Sequence, residues 1–403
     1  MNDPASKPSE KLLLDPPDFS LVLGGPLFQL LRRSHLADDA LEMVRQRIVV
    51  MALLAWLPLL LLTALEGQLI GGSAAVPFLM DAEVHIRFLV AIPLMIGAEL
   101  VVHRRMRLLL RQFLERNLIP ESALPRFDAA IHSAFRLRNS TLAEVLLIAI
   151  VYSLGILVIW PNYMALDAPT WFATPTAEGS KLSLAGMWYI YLCLPIFQFL
   201  LLRWYFRLFI WSRFLWQVSR IELNLVPTHP DRTGGLGFLG GTVYAFIPLL
   251  MAHGAIVAGN LANRIFYLGA TLTDFKGEVA LMVVFLLCVV FGPLLAFTLQ
   301  LAAAKRTGKR EYGTLAQRYV RAFDAKWLRG GAPADEPLLG SADIQSLSDL
   351  GSSYDVVQTM RTTPVSKEAV LRLAAAVLVP IVPLVLTMMP WEELLKKLLG
   401  IIF

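Results

Sequence analysis

Seven long apolar stretches constrain the fold of this chain more than any other feature. Each holds about 20 mostly apolar residues, the length that an α-helix needs to cross a hydrocarbon core of about 30 Å. Backbone polar groups in lipid must be satisfied within the spanning element. We therefore predict an all-α, polytopic transmembrane helical bundle of about seven spans. The predicted spans are 48–66, 87–103, 142–160, 185–203, 242–262, 279–301 and 369–390.

The composition agrees with this class and excludes others. Of the 403 residues, 56% are hydrophobic and 17% are charged, whereas soluble domains carry about 25% charged residues. The net charge of +5 comes from basic residues at span ends, and no basic soluble module with recognition elements accompanies it. We therefore predict membrane lipids, and no nucleic acid, as partners.

Basic residues occupy alternate loops between the predicted spans, which predicts the orientation. Positively charged loops remain in the cytoplasm, so we expect a cytoplasmic N-terminus and a C-terminus on the other side. The basic residues in question lie within 32–47, 104–138, 203–232 and 305–329.

The same pattern predicts how the chain is divided. A cytoplasmic or interfacial N-terminal segment includes an apolar stretch, 19–31, that is too short to cross the membrane. A six-span membrane domain follows, with two cytoplasmic helices and a glycine-rich turn between its spans. A cytoplasmic helical segment then precedes the seventh span and an amphipathic tail. The corresponding ranges are 1–47, 48–301 (helices at 104–141 and turn at 226–241), 302–368 and 369–403.

The turn at 226–241 is the most polar feature between two spans. It combines His229, Asp231 and Arg232 with glycines that permit left-handed backbone and close approach of N–H groups. Such a turn before a helix suits a phosphate or carboxylate, with Arg232 adding charge-assisted bonds. His229 and Asp231 are alternatively metal ligands or proton-exchanging groups, and the structural alternative is that Asp231 caps a helix. The glycines are Gly234, Gly235, Gly237, Gly240 and Gly241.

Other ionisable residues on the predicted cytoplasmic side are candidates to join this turn. Glu99 and His103 share a face of span two, Glu144 enters span three, and His132 lies four residues after Asp128. Together they offer a histidine and carboxylate metal site; the alternative is salt bridges to the many arginines. The candidate metal ligands are His229, Asp231, His103 and His132, and no cofactor is specified by the sequence.

Two properties of the spans themselves bear on function. Proline lies within six of the seven, which is typical both of broken helices that line cavities and of ordinary membrane packing. Span five carries Gly254 and Ala258 at close-approach spacing, which predicts a central position. It also carries His253 near mid-membrane, which is either a functional group or a neutral imidazole bonded to a carbonyl freed by Pro248, five residues earlier.

The turn HPDRTGGLGFLG (229–240) and the ending that runs from Ser341 to Leu395 resemble an uncharacterised family of bacterial polytopic membrane proteins of similar length. The resemblance covers most of the chain. It implies a multi-pass protein of the bacterial cytoplasmic (inner) membrane, and it implies no activity, cofactor or functional residue.

Three functions remain open from the sequence. The first is transport or binding of a small solute or ion through a polar site at the cytoplasmic face. The second is a membrane enzyme acting on a lipid head group or phosphorylated substrate, with His229 as base and Arg232 as phosphate clamp. The third is a scaffold for a cytoplasmic partner, and a homo-oligomer is compatible with all three. The candidate binding residues are His229, Asp231, Arg232, Gly234, Gly235, Gly237, Glu99, His103, Glu144 and His253.

Overall fold

A computed structural model of the chain describes residues 16–26, 29, 43–72, 74–155, 170–176, 179–333 and 335–388. Six of its helices are long and apolar enough to cross a membrane, so the chain is a multi-pass helical membrane protein. The spans are α1 (Val44–Leu65), α2 (Ala82–Glu115), α5 (Leu184–Val218), α6 (Gly237–Leu268), α7 (Leu272–Leu328) and α9 (Lys367–Met388). The remaining elements are α3 (Leu124–Arg138), α4 (Thr141–Leu154), α8 (Ala342–Thr359), β1 (Ala173–Thr176) and β2 (Gly179–Leu182).

The six spanning helices coincide with six of the seven predicted stretches. The third stretch, 142–160, begins as the apolar helix α4, and its last residues lie outside the described part of the chain. The antiparallel hairpin of β1 and β2 was not predicted. The predicted amphipathic tail at 391–403 also lies outside the described residues.

Contacts between loops define the two ends of the bundle. At one end, Val76 forms a parallel β-bridge with Thr170, and Glu66 accepts a hydrogen bond from the Leu184 N–H at 2.7 Å. We call this the hairpin end because the β-hairpin lies there. The opposite end carries the connecting segments 107–140, 219–236 and 302–366, and we call it the arginine-rich end.

Helices α2 and α5 share an unusual local structure. Each begins with five α-helical residues, continues with a five-residue π-helical turn and then resumes as α-helix. The π turns are Arg87–Ala91 and Tyr189–Cys193, and Pro93 and Pro195 each follow two residues after one. Proline cannot donate the usual helical bond. Just before these prolines, the N–H groups of Ile92 and Leu194 donate to the carbonyls five residues earlier. This π pattern widens both helices at the corresponding turn.

Helix α6 packs closely against its neighbours on two faces, as its small residues predict. A Cβ added at Gly254 would lie 2.0 Å from the Val377 carbonyl oxygen of α9, and one added at Gly259 would lie 3.0 Å from Glu83 Cα of α2. Only glycine permits the first contact. Of the six spans, α6 also has the largest buried share, which agrees with the predicted central position.

Helix α7 is continuous for 57 residues, about 85 Å at the usual helical rise. A bilayer core takes up only about 30 Å of this length, so the helix passes through the predicted boundary at 301 without interruption and projects from the arginine-rich end. Helix α8 packs along the projecting part. Tyr319 donates to the Asp343 carbonyl at 3.0 Å, and the indole of Trp327 donates to the Asp343 carboxylate at 2.9 Å.

The described part of the N-terminal segment is built into the bundle. Phe19, Leu21 and Val22 are at most 2% exposed, and the Phe19 N–H donates to the Arg107 carbonyl at 3.0 Å. The rings of Phe19 and Phe214 are tilted relative to each other with centroids 4.6 Å apart, and this contact holds the first residues of the predicted interfacial stretch, 19–31, in the core.

Candidate functional site

In the glycine-rich turn, the side chain of Asp231 occupies the ring of backbone donors. Its carboxylate accepts hydrogen bonds from the N–H groups of Thr233 at 2.8 Å, Gly235 at 3.2 Å and Gly237 at 2.8 Å. These are the groups expected to hold an external phosphate or carboxylate. The turn therefore contains an anion of its own, and Asp231 also accepts the N–H of Gly237, the first residue of α6, from outside the N-cap position at Leu236.

His229 lies directly beside Asp231 in this turn. Its Nδ1 lies 3.0 Å from Asp231 Oδ1 and 3.2 Å from the Asp231 N–H. Burial opposes ionisation of Asp231, but the three backbone N–H bonds and the neighbouring imidazole outweigh it and hold the carboxyl pKa below its ordinary value. Asp231 is therefore an ionised structural group at neutral pH.

The backbone of the turn requires glycine at specific positions. Gly234 and Gly235 have φ values of 63° and 99°, and Arg232 itself adopts φ 55°. A Cβ at Gly237 would come within 2.9 Å of the Asp231 carboxylate. The side chain of Arg232 is exposed, and its carbonyl accepts the Arg361 N–H at 2.7 Å.

Three connecting segments of the arginine-rich end meet on this turn. Arg116 donates to the Gly235 carbonyl at 3.1 Å, and Arg361 Nη2 donates to the Asp231 carbonyl at 3.2 Å. On α7, Gly308 approaches Pro227 so closely that a Cβ there would lie 2.6 Å from the proline ring. The turn is thus a packed junction between 107–123, α7 and 360–366.

Glu99 lies in a buried ion-pair network of the spans. Its Oε1 is 2.7 Å from Arg207 Nη1, and its Oε2 pairs with Arg47 Nη2. The three side chains are 4–6% exposed. Ionised groups inside a membrane protein are costly unless paired, and here each charge has a partner. Arg47 and Arg207 were noted only as charges near span ends, because the sequence does not show that the helices turn them inward.

Glu144 continues this network toward the N-terminal segment. Arg203 Nη2 donates to Glu144 Oε1 at 3.3 Å, with both side chains nearly buried. Gly25 packs over the pair, because a Cβ there would lie 2.9 Å from the carboxylate. The salt-bridge alternative for Glu99 and Glu144 is therefore the arrangement that the structure shows.

His103 and His132 lie apart from both groups. His103 Nδ1 is 3.1 Å from the Ser20 hydroxyl, and the exposed His132 is 3.5 Å from Asp128. Burial lowers the pKa of the neighbouring Arg138 to about 10, and its guanidinium donates to the Ser20 carbonyl at 2.6 Å. The contacts of Ser20 with His103 and Arg138 attach the N-terminal segment to α2 and α3.

His253 forms hydrogen bonds through both ring nitrogens. Nδ1 donates to the Leu249 carbonyl at 2.8 Å, and Nε2 is 2.8 Å from the Tyr205 hydroxyl, which donates to it in the neutral tautomer. This is the arrangement expected of a satisfied imidazole bonded to a helix carbonyl. This carbonyl belongs to Leu249. The carbonyl that Pro248 leaves without its α-helical donor is instead that of Tyr244, four residues before the proline.

The predicted convergence of Glu99, His103, Glu144 and His229 does not occur. His229 pairs within its own turn, whereas the two glutamates pair with arginines of the spans. Across the described residues, no three histidine, cysteine, aspartate or glutamate side chains are placed to hold a metal ion.

The hairpin end contains a cavity that the sequence did not predict. Its volume is about 350 Å³, and it lies between the first turns of α2 and α5 and the last turns of α6. The cavity combines acidic, amide and aromatic side chains, a composition typical of small-molecule sites. The lining includes Asp81, Glu83, Trp171, Phe172, Tyr189, Asn260, Asn263, Arg264 and Tyr267.

Both carboxylates of the cavity are held in place. Asp81 accepts from the Asn263 amide at 2.7 Å and from the Trp171 indole at 2.9 Å, and it caps α2 through the Val84 N–H at 3.3 Å. Glu83 pairs with Arg87 and lies 3.4 Å from the Asn260 amide.

The π turns meet at this cavity. Arg87, the first residue of one, donates to the hydroxyl of Tyr189, the first residue of the other. Because π turns occur frequently at functional sites, this cavity is the strongest candidate site in the described part of the chain. No sequence motif marks Asp81, Glu83 or Arg87, and only the fold brings them against α5 and α6.

Comparison with protein-family models, with curated proteins and with solved structures returns no match to this chain. The resemblance suggested by the turn and the C-terminal region therefore stays a prediction, and the geometry alone supports the functional argument.

Proposed function

We propose that the protein binds a small solute in the cavity at the hairpin end and passes it across the membrane. The observation that carries the proposal is the pair of matched π turns, whose first residues Arg87 and Tyr189 are bonded to each other beside the cavity. Helices broken at corresponding positions around a polar site are typical of secondary transporters.

The proposed topology has seven crossings, with the hairpin end outside the cytoplasm. The arginine-rich loops favour a cytoplasmic location for the opposite end. A crossing between 141 and 170 is supported by contacts at its two sides: Ser140 follows α3 at the arginine-rich end, and Thr170 bridges to Val76 at the hairpin end. The cytoplasmic membrane of a bacterium remains the predicted location.

A transporter of this kind also needs a solute pathway that is closed on its cytoplasmic side. Between the cavity and the Glu99 network, α2 presents Phe88, Ile92 and Met95, all fully buried. The network of Glu99 with Arg47 and Arg207 then links α1, α2 and α5 below this apolar layer. In this proposal the described state is accessible from outside, and solute passage requires the apolar layer and the ion pairs to separate, as in alternating access.

Osmotic swelling of proteoliposomes tests the proposal, because it reports passage of any small osmolyte. The panel is choline chloride, glycine, urea and sodium phosphate. We expect the wild type to accelerate swelling for at least one of them over empty liposomes, and Arg87→Lys to reduce that rate about tenfold. Arg329→Lys, which changes an exposed ion pair with Asp324 away from the cavity, is the matched control. Equal swelling of protein-free and protein-containing vesicles for the whole panel would overturn the proposal.

A further inference from the structure

The charges around the cavity at the hairpin end leave one negative charge without a cationic partner. Glu83 is paired with Arg87, and Arg264 is paired with Glu278 at 3.2 Å. Asp81 receives its hydrogen bonds from an amide, an indole and a backbone N–H, all of them neutral. Within the described ranges, no lysine, arginine or histidine nitrogen lies within ion-pair distance of Asp81.

The burial of Asp81 makes this unbalanced charge significant. The residue is 7% exposed. A buried carboxylate loses most of its hydration, and neutral donors stabilise the charge without cancelling it. The electrostatic field of Asp81 therefore favours a cation in the adjacent cavity.

Aromatic rings form much of the wall around Asp81. Trp171, Phe172 and Tyr189 form a cluster with ring centroids 5.2 to 5.7 Å apart. Tyr267 adds a partly exposed ring at the same cavity, anchored by its hydroxyl to the Met80 carbonyl at 2.9 Å. Aromatic faces attract ammonium groups through their quadrupole, most strongly where water is excluded.

We propose that the cavity binds an organic ammonium ion, with Asp81 as the counter-charge and Trp171, Tyr189 and Tyr267 as the walls. A compact substituted ammonium fits a cavity of about 350 Å³. A small inorganic cation would leave the aromatic surface unused, whereas an anion would face Asp81 without a compensating charge. This inference names the ligand class for the cavity on which the proposed function rests.

Binding of choline to the purified full-length protein, measured by isothermal titration calorimetry in detergent, tests this assignment. Its neutral carbon analogue 3,3-dimethylbutan-1-ol has the same shape without the charge. We expect saturable choline binding and at least tenfold weaker binding of the analogue. Asp81→Asn should weaken choline binding at least tenfold, and Tyr267→Leu should weaken it two- to tenfold. Asp274→Asn, an exposed carboxylate at the same end, should leave it unchanged.

Equal affinity for choline and its neutral analogue, or no binding of choline, would overturn the inference. If Asp81→Asn does not fold, the comparison of the two ligands on the wild type still decides. The two proposals fail separately: choline binding without swelling of proteoliposomes removes transport and keeps the site. Swelling with another solute and no choline binding keeps transport and removes the ammonium assignment.

Discussion

Arg87 donates a hydrogen bond to the Tyr189 hydroxyl, and each of these residues begins a π turn in its own helix, 102 positions apart. The same offset relates the helix starts after Asp81 and Ser183 and also relates Pro93 to Pro195. The two helices therefore repeat one local design and meet through its first π residues. Replacing Arg87 and replacing Tyr189 should therefore lower the stability of the protein to different extents.

Substitutions at this junction should distinguish the stability contributed by the Arg87–Tyr189 hydrogen bond from that of the Arg87–Glu83 ion pair. Tyr189→Phe removes one hydroxyl bond and should lower the free energy of unfolding by about 1 kcal/mol. Arg87→Gln also leaves Glu83, whose side chain is 15% exposed, without this cation, so we expect a larger loss of about 3 kcal/mol. Denaturant titration in micelles measures both values. Arg264→Gln, whose pair with Glu278 is 40% and 59% exposed, should cost less than about 1 kcal/mol. Equal losses of unfolding free energy for Arg87→Gln and Arg264→Gln would contradict this account.

The network around Glu99 should be essential for folding. Glu99→Gln leaves Arg47 and Arg207 facing each other in a buried site, and we expect a loss of about 3–5 kcal/mol. Adding Arg207→Gln removes one of these charges and should recover part of the loss. The yield of monodisperse protein and its thermal midpoint measure the effect. Glu368→Gln, in a pair 3.7 Å apart with both side chains mostly exposed, is the control. A double variant no more stable than Glu99→Gln would argue against the pairing.

The sequence predicted the membrane class and six of the crossings because hydropathy over 20 residues is a local property. The close packing of α6 was likewise predicted from its small residues. The site was harder to predict, because it depends on which faces of distant helices meet. Asp81, Arg87 and Tyr189 carried no local motif, and only the fold places Asp81 and Tyr189 at one cavity, with Arg87 bonded to Tyr189 beside it. The density of polar residues in the turn at 226–241 has a structural cause, since Asp231 binds the turn's own N–H groups.

The contribution of Asp231 should depend on pH. Its pKa is lowered in the folded protein, from an unfolded value of about 3.9. A lowered carboxyl pKa adds stability that is fully present above the unfolded value and is lost as the pH falls through the folded value. At pH 7, Asp231→Asn should therefore cost about 1–3 kcal/mol, because its amide nitrogen cannot accept the backbone bonds that the carboxylate accepts. Thermal midpoints at pH 7 and at about pH 3, below the unfolded value, should show the difference from wild type shrinking at the lower pH. The same change at the exposed Asp335 should give no such difference, and a gap that widens on acidification would refute the assignment.

Two glycine-to-alanine substitutions should have opposite effects. At Gly254 the added Cβ would lie 2.0 Å from the Val377 carbonyl oxygen and 3.0 Å from its carbon, so α6 and α9 must move apart. Overpacking of this kind costs about 1–3 kcal/mol. At Gly97 a Cβ would meet nothing within 4 Å, and the better helix propensity of alanine should stabilise α2 by up to about 1 kcal/mol. Unfolding free energies in the same micelles compare the two. If Gly254→Ala also stabilised the protein, backbone propensity rather than the contact between α6 and α9 would govern Gly254.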